Sequence, residues 1–389
     1  MKDIREFKID QWSTKHSGGA TVLLHGSNVR ALSLAELLQL VPGHDASPVN
    51  FDAVLSYGNL YGSVQLRQRI AELHSSDRVK LTEDNVILTP GSILAGYLAL
   101  TNLAGPGDHV ICEYPTYSQL FILPKYQGAE VSLWKLKREH NWVPQLDDLK
   151  SLVKPNTRVI ILNSPNNPTG AVLSEAALLE ILAFAKERNI TVYSDEVFRP
   201  MFHTSEPIPP PFVTLGYENS LSTGSLSKAQ GLPGIRIGWV VSQDRDLLER
   251  IMNARSYTTI TVSQLDCGVA QYALSPAVLP ALMERNLTIC RRSLDILDGF
   301  AKRHPGRVDY VPSKSGGTAF VRLLEADGSP VDERAFALRM VATEKLSLLP
   351  GDTVADEDAT EFRGYFRVSL GDDVSLQKGV DILDRVLNE

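Results

Sequence analysis

The chain's 389 residues are 43% hydrophobic and 22% charged with a net charge of −7, the profile of a soluble globular protein long enough for two domains. The acidic balance and lack of a basic run argue against nucleic-acid and membrane-surface roles, and no apolar run approaches the ~18 residues of a membrane span. Cys112, Cys267 and Cys290 are scattered without metal-ligand spacing, and MKDIREFKID lacks a signal peptide's apolar core, so reduced thiols, no metal and a cytoplasmic location are expected.

From about residue 64, helical periodicity alternates with short apolar runs. VQLRQRIAELH (64–74) is helical, NVILTP (85–90) is a run, and SILAGYLALTNL (92–103) is helical again. HVICEYP (109–115) and RVIILNSP (158–165) are runs. The second leads into SEAALLEILAFAKERN (174–189), where Leu178, Ile181, Leu182 and Ala185 share one helix face. NITVYSDE (189–196), NSLSTGS (219–225) and IRIGWVVS (235–242) complete the series. This alternation predicts a large α/β domain over 46–284 with a mainly parallel sheet flanked by helices. Ligands of such sheets sit beyond the carboxyl ends of the strands, and here the runs end in Gly91-Ser92, Tyr117, Asn167, Asp195 and Ser225. After about residue 275 the pattern changes to a long helix (278–304), short strands near 308–312 and 318–324, a helix near 333–344, YFRVSLG (365–371) and a closing helix. Residues 285–389 are expected to form a smaller α+β domain together with residues 1–45.

Lys228 stands in SLSKAQGLPGIRIGW (225–239), at the edge of a segment that reads as buried. A lone lysine there would be expected to snorkel from a strand end. S-x-x-K with Arg236 eight residues later is more specific. Further blocks recur in order: Y-x-x-x-x-G at Tyr57 to Gly62 followed by LRQRIA, TPGSILAG (89–96), YPTY (114–117), NSPNNPTG (163–170) and SDEVF (194–198). P-x-x-S-G-G (312–317), LLPGD (348–352) and R-V-S (367–369) close the set. Over nearly its whole length the chain resembles the class I/II aminotransferases, fold-type I enzymes that use pyridoxal 5′-phosphate, with a seven-stranded sheet in the large domain.

The resemblance implies that Lys228 forms the Schiff base with the cofactor aldehyde, the internal aldimine, and then moves the proton at the substrate's Cα carbanion. Asp195 would pair with the pyridine nitrogen, and Asn167 with the ring hydroxylate. Gly91, Ser92 and Ile93, by their amides, would hold the phosphate together with Ser225 and Arg236. Tyr117 would stack on the ring, Arg367 would grip the substrate carboxylate, and Tyr57 would reach the phosphate of a second copy in a homodimer. Each residue also has a plainer reading: Asp195 as a cap, Asn167 as a turn residue, Tyr57 as a loop tyrosine, Tyr117 as core and Arg367 in an internal salt bridge.

Phe198 departs from the pattern, which commonly has a tyrosine there. One hydrogen bond to the hydroxylate is lost, and the imine pKa is expected to rise. The leading expectation is an aminotransferase using an α-amino acid and a keto acid. The alternative is a non-transaminating relative, a cyclase, lyase or β/γ-substituting enzyme. LLHGSNVRALSLAEL (23–37) followed by LSYGNLYG is similar to the capreomycidine-synthase-type subgroup and favours that alternative. A regulator built on this fold is disfavoured, since Lys228 and Asp195 are retained and no basic helix-turn-helix precedes the blocks. Substrate contacts are expected from Arg367 and Asn167, with Ser27 and Arg30 as candidates beside His25, Asn28 and Tyr257 to Thr259.

Overall fold

The computed structural model describes all residues except 1–3, 45, 53, 358 and 389. Asp45, at the expected domain boundary, therefore lies outside the described residues. The strands, in chain order, are β1 (Val22–Leu23), β2 (Val86–Pro90), β3 (His109–Tyr114), β4 (Glu130–Lys135), β5 (Thr157–Asn163), β6 (Thr191–Asp195) and β7 (Ser220–Ser225). They continue with β8 (Ile237–Ser242), β9 (Val308–Tyr310), β10 (Thr318–Leu323), β11 (Leu346–Ser347), β12 (Leu349–Pro350) and β13 (Tyr365–Ser369).

Seven strands form one sheet in the order β2-β8-β7-β6-β5-β3-β4. All neighbours are parallel except at β8, which runs against both β2 and β7. The mainly parallel seven-stranded α/β architecture is as expected. Its strands are continuous apolar runs because both faces are covered: in β5, Ile160 and Leu162 pack on one side, and Val159 and Ile161 on the other. The helix Glu175–Glu187 starts where the Ser174 hydroxyl accepts from the Ala177 amide, and it buries Leu178, Ile181, Leu182 and Ala185 on the sheet.

A second, antiparallel sheet has the order β12-β13-β10-β9. β1 pairs in parallel with β11, and the Trp12 indole donates to the Leu348 carbonyl at 3.0 Å, so the amino-terminal segment packs against the carboxyl-terminal third. Near 333–344 the α-helix ends at Arg339, and a π turn carries the chain to Glu344 before Lys345 turns left-handed at φ 58°. β4 and the helix Gln119–Gln127 had no clear signal: the strand is a half-exposed edge and the helix contains Pro124.

The reversed direction of β8 matters most for the site. It brings the residues just before Ile237 to the same sheet edge as the carboxyl ends of the parallel strands, opposite Pro90. There the two backbones touch: a Cβ on Gly238 would fall inside the contact radius of the Gly91 carbonyl carbon and the Ser92 nitrogen. Gly238→Ala is therefore expected to destabilise the protein by about 1–3 kcal/mol or more, read as a lower urea midpoint at unchanged slope.

Candidate active site

β6 delivers Asp195 at its carboxyl end, where the side chain is 7% exposed. Its Oδ1 accepts from the Val197 amide at 3.2 Å and the Thr223 hydroxyl at 3.4 Å. Burial pushes the carboxyl's pKa up to about 6, with those two hydrogen bonds acting in the opposite direction. Asn163, ending β5, ties the neighbourhood together. Its Nδ2 donates to the Asp195 carbonyl (3.2 Å), and its Oδ1 accepts from the Asn167 amide (2.8 Å) and the Thr116 hydroxyl (3.2 Å). The Asn163 N–H donates to Glu113 Oε2 at 2.7 Å, and burial pushes that carboxyl up to about 8.

Lys228 lies in the turn after β7, and the Gly231 amide donates to its carbonyl at 3.1 Å. Its Nζ donates to Ser27 Oγ at 2.8 Å. Burial, then the Arg367 charge, pull the amine down to about 8, partly offset by Asp195. Ser225, at the base of the turn, accepts from the Ser227 amide at 3.2 Å.

Arg367 is an interior residue of β13, 4% exposed. One terminal nitrogen donates to the His25 carbonyl at 2.6 Å and the other to Asn167 Oδ1 at 3.4 Å. Its Nε is buried without a hydrogen-bond partner, and burial lowers the guanidinium's pKa to about 10. It forms no salt bridge with a carboxylate among the described residues, and it lies behind Asn167, outside the cavity lining, as a buried cation with one donor unmet.

The helix Gly91–Leu103 follows β2 directly, and Pro90 offers its first turn no side-chain cap. Its first amides therefore have no intrahelical acceptor and sit at the positive end of the helix. Gly91, at φ 76°, leaves room that the Arg236 guanidinium occupies: a Cβ there would collide with it. Arg236 is left-handed at φ 49°, and its side chain donates to the Pro233 carbonyl at 2.8 Å. Uncapped amides beside a guanidinium make an anion cradle.

One cavity is lined by Ser92, Ile93, Tyr117, Asn167, Asp195, Lys228 and Arg236, with Ser27 and Phe198. Tyr117 meets Phe7 at a ring-centroid distance of 5.3 Å, and burial pushes its phenol up to about 12. Phe198 is fully buried and is among the residues that line the cavity.

Other sequence candidates lie elsewhere in this chain. Tyr57 is 66% exposed, beside Thr261 to Gln264. Arg30 is exposed and outside the cavity lining; its backbone N–H donates to the Gly371 carbonyl at 2.8 Å. Asn28 Nδ2 donates to the Val29 carbonyl at 2.9 Å, and Tyr257 is among the most exposed aromatic residues. Asn163, Thr223, Gln119 and Ser227 were not singled out from the sequence. Asn163 at least opens the NSPNNPTG block, whereas the others carry no spacing signal.

Residues 46–383 match the aminotransferase class I and II family, and the chain belongs to it. A capreomycidine synthase from Streptomyces vinaceus is 29% identical over 351 residues, covering 90% of this chain and 87% of that protein. Among solved structures, a PLP-dependent aminotransferase from Streptococcus suis is 32% identical with a TM-score of 0.89, covering 99% of this chain and 98% of that one. A PLP-dependent cyclase is 25% identical with a TM-score of 0.85, covering 100% and 98%.

Asp195 gives a stability test. Because its folded pKa is raised, the folded state keeps a proton that the unfolded state has lost between about pH 4 and 6, so stability falls as pH rises through that window. The move from 3.8 to about 6 corresponds to about 3 kcal/mol. In protein stripped of small molecules, Asp195→Asn is expected to raise the unfolding free energy at pH 7 by up to that amount and to flatten its dependence between pH 4 and 6.

Proposed function

We propose that this protein is a pyridoxal 5′-phosphate-dependent aminotransferase acting on an α-amino acid. The observation that carries the reading is the Lys228 amine, held at lowered basicity in one cavity with buried Asp195, near Arg367 and beside the Gly91–Arg236 cradle. The residues fit the cofactor: the cradle suits a phosphate dianion, Asp195 suits a pyridinium, and Lys228 suits an aldehyde. When bound, the cofactor supplies an electron sink for a breaking Cα bond.

Lys228 would hold the cofactor covalently and, once displaced by the substrate amine, move the proton at the substrate's Cα. The amides of Gly91, Ser92 and Ile93, with Ser225 and Arg236, would bind the phosphate. Asn167, whose Oδ1 is engaged by Arg367, has its amide donors left for the ring oxygen. Tyr117 would stack on the ring. Arg367, with its spare donor, would bind the substrate carboxylate, and Ser27 and Arg30 are carried as substrate contacts. The partner molecules are the amino acid and a keto acid, and a cytoplasmic location is part of this reading. No helix among the described residues is long and apolar enough to cross a membrane.

Phe198 supports a second reading, a non-transaminating cyclase, lyase or β/γ-substituting enzyme with the same cradle. No hydroxyl at that position moderates the ring oxygen, and the likeness to capreomycidine synthase and to a cyclase points the same way. The two-domain division at about residues 46 and 284 is retained as a proposal. So is a homodimer, supported by the exposed apolar residues Phe51, Val54, Leu55, Tyr57, Leu60 and Tyr257.

Borohydride reduction of the cofactor-loaded protein, followed by peptide mass mapping, is expected to place the pyridoxyl group on Lys228; a label on another lysine would reject the reading. Offering α-amino acids without a keto acid then separates the two chemistries. Conversion of the bound cofactor to the pyridoxamine form marks transamination, and release of ammonia or a cyclised product marks the alternative.

For the homodimer, sedimentation at nanomolar concentration is expected to show a dimer, and Tyr57→Ala to weaken cofactor binding about 10- to 100-fold, the loss of one charge-assisted hydrogen bond. A fully active monomer contradicts it.

A further inference from the structure

Ser27 lies where the amino-terminal segment crosses the cavity. That segment is clamped along the end of β13: the Leu24 carbonyl accepts from the Ser369 amide at 2.8 Å, and the Arg30 amide donates to the Gly371 carbonyl at 2.8 Å. Between them the His25 carbonyl accepts from Arg367 at 2.6 Å. From the other side Gly317 presses on Ser27 itself, and a Cβ there would lie 2.6 Å from the Ser27 carbonyl oxygen. The backbone is thus fixed on two flanks, and the buried side chain lines the cavity with its Oγ 2.8 Å from Lys228 Nζ. No other hydrogen bond to that nitrogen exists among the described residues.

A serine oxygen accepts from an ammonium and equally from an N–H of the neutral amine, so it can stay bonded to the lysine in both protonation states while the amine's lone pair is left free. The charged groups facing Lys228 cannot do this. Arg367 and Arg236 repel its ammonium form, while Asp195 and Asp10 favour it without hydrogen-bonding to the nitrogen.

We infer that Ser27 is a catalytic hydroxyl that holds the freed Lys228 amine aimed at the substrate's Cα while that amine carries the proton. The inference rests on the proposed function, in which Lys228 is the proton carrier. It places Ser27 on the lysine rather than only on the substrate. No bond to Ser27 is made or broken: the proton leaves Cα for the free lone pair of Nζ, while an N–H of the same nitrogen keeps donating to Ser27 Oγ.

Two measurements test it, each on wild type, Ser27→Ala and Ser27→Thr. The first is the pH dependence of Lys228 acylation by acetic anhydride in full-length protein freed of cofactor, read by peptide mass spectrometry. The wild-type midpoint is expected near 8. Loss of the hydroxyl that stabilises the ammonium is expected to lower it by about one unit in Ser27→Ala, with Ser27→Thr close to wild type. An unchanged or raised midpoint in Ser27→Ala overturns the inference. The second is deuterium exchange at the Cα of α-amino acids by the cofactor-loaded enzyme in D2O, followed by NMR. Ser27→Ala is expected to slow exchange at saturation about tenfold, with half-saturation within about twofold of wild type and recovery in Ser27→Thr. Weaker saturation at an unchanged maximal rate would make Ser27 a substrate contact and overturn the inference. If wild type exchanges no amino acid at all, the functional reading falls, and the acylation midpoints still decide whether Ser27 governs the amine.

Discussion

Asp195 and Arg367 are buried and Lys228 is half-buried in one neighbourhood, and no two of them form a salt bridge. Removing an ion from water without a counter-ion costs several kcal/mol, so each must be held by neutral dipoles. Asp195 has the Val197 amide and Thr223, Lys228 has Ser27, and Arg367 has the His25 carbonyl and the Asn167 side chain. The compensation is partial. All three pKa values are drawn towards neutrality, upward for the acid and downward for the bases, and Arg367 keeps a buried donor with no acceptor. The molecule thus stores an unmet electrostatic demand that a ligand with opposed charges at the right places would satisfy.

The surrounding architecture reads as support for that arrangement. Asn163 uses its backbone amide, its side-chain oxygen and its side-chain nitrogen to connect Glu113, Thr116, Asn167 and Asp195 across adjacent strand ends. Tyr193 reaches the same cluster through Thr223 at 2.9 Å. A displacement of β5 or β6 is therefore felt at both Asp195 and Asn167, because fully bonded polar networks move as units.

Much of this was legible in the sequence because the chemistry restricts residue type and spacing together. Lys228 and Arg236 sit in one turn, Asp195 ends an apolar run, and Gly91-Ser92 closes a run at the start of a helix. Thr223 and Glu113 were not legible, since a threonine or a glutamate inside a run has no period or partner in sequence that betrays it. The Ser27 contact spans 201 positions and exists only because the amino-terminal segment is laid along β13. In the fold, β4 escaped notice because an edge strand with a half-exposed pattern looks like a loop. Tyr57 was named for a role that a single chain does not display, since its surroundings here are solvent and the 261–264 turn.

The reversed strand has a further consequence. Because β8 returns antiparallel to β7, one turn carries both the Lys228 amine and the Arg236 guanidinium, and the strand pairing Ser225 with Gly238 closes its base. Their separation is set by that closed turn and not by how distant parts of the chain settle against each other. A small molecule that engages both would draw its contacts to the amine and to the guanidinium from one continuous stretch of chain, so no hinge between distant segments can part them.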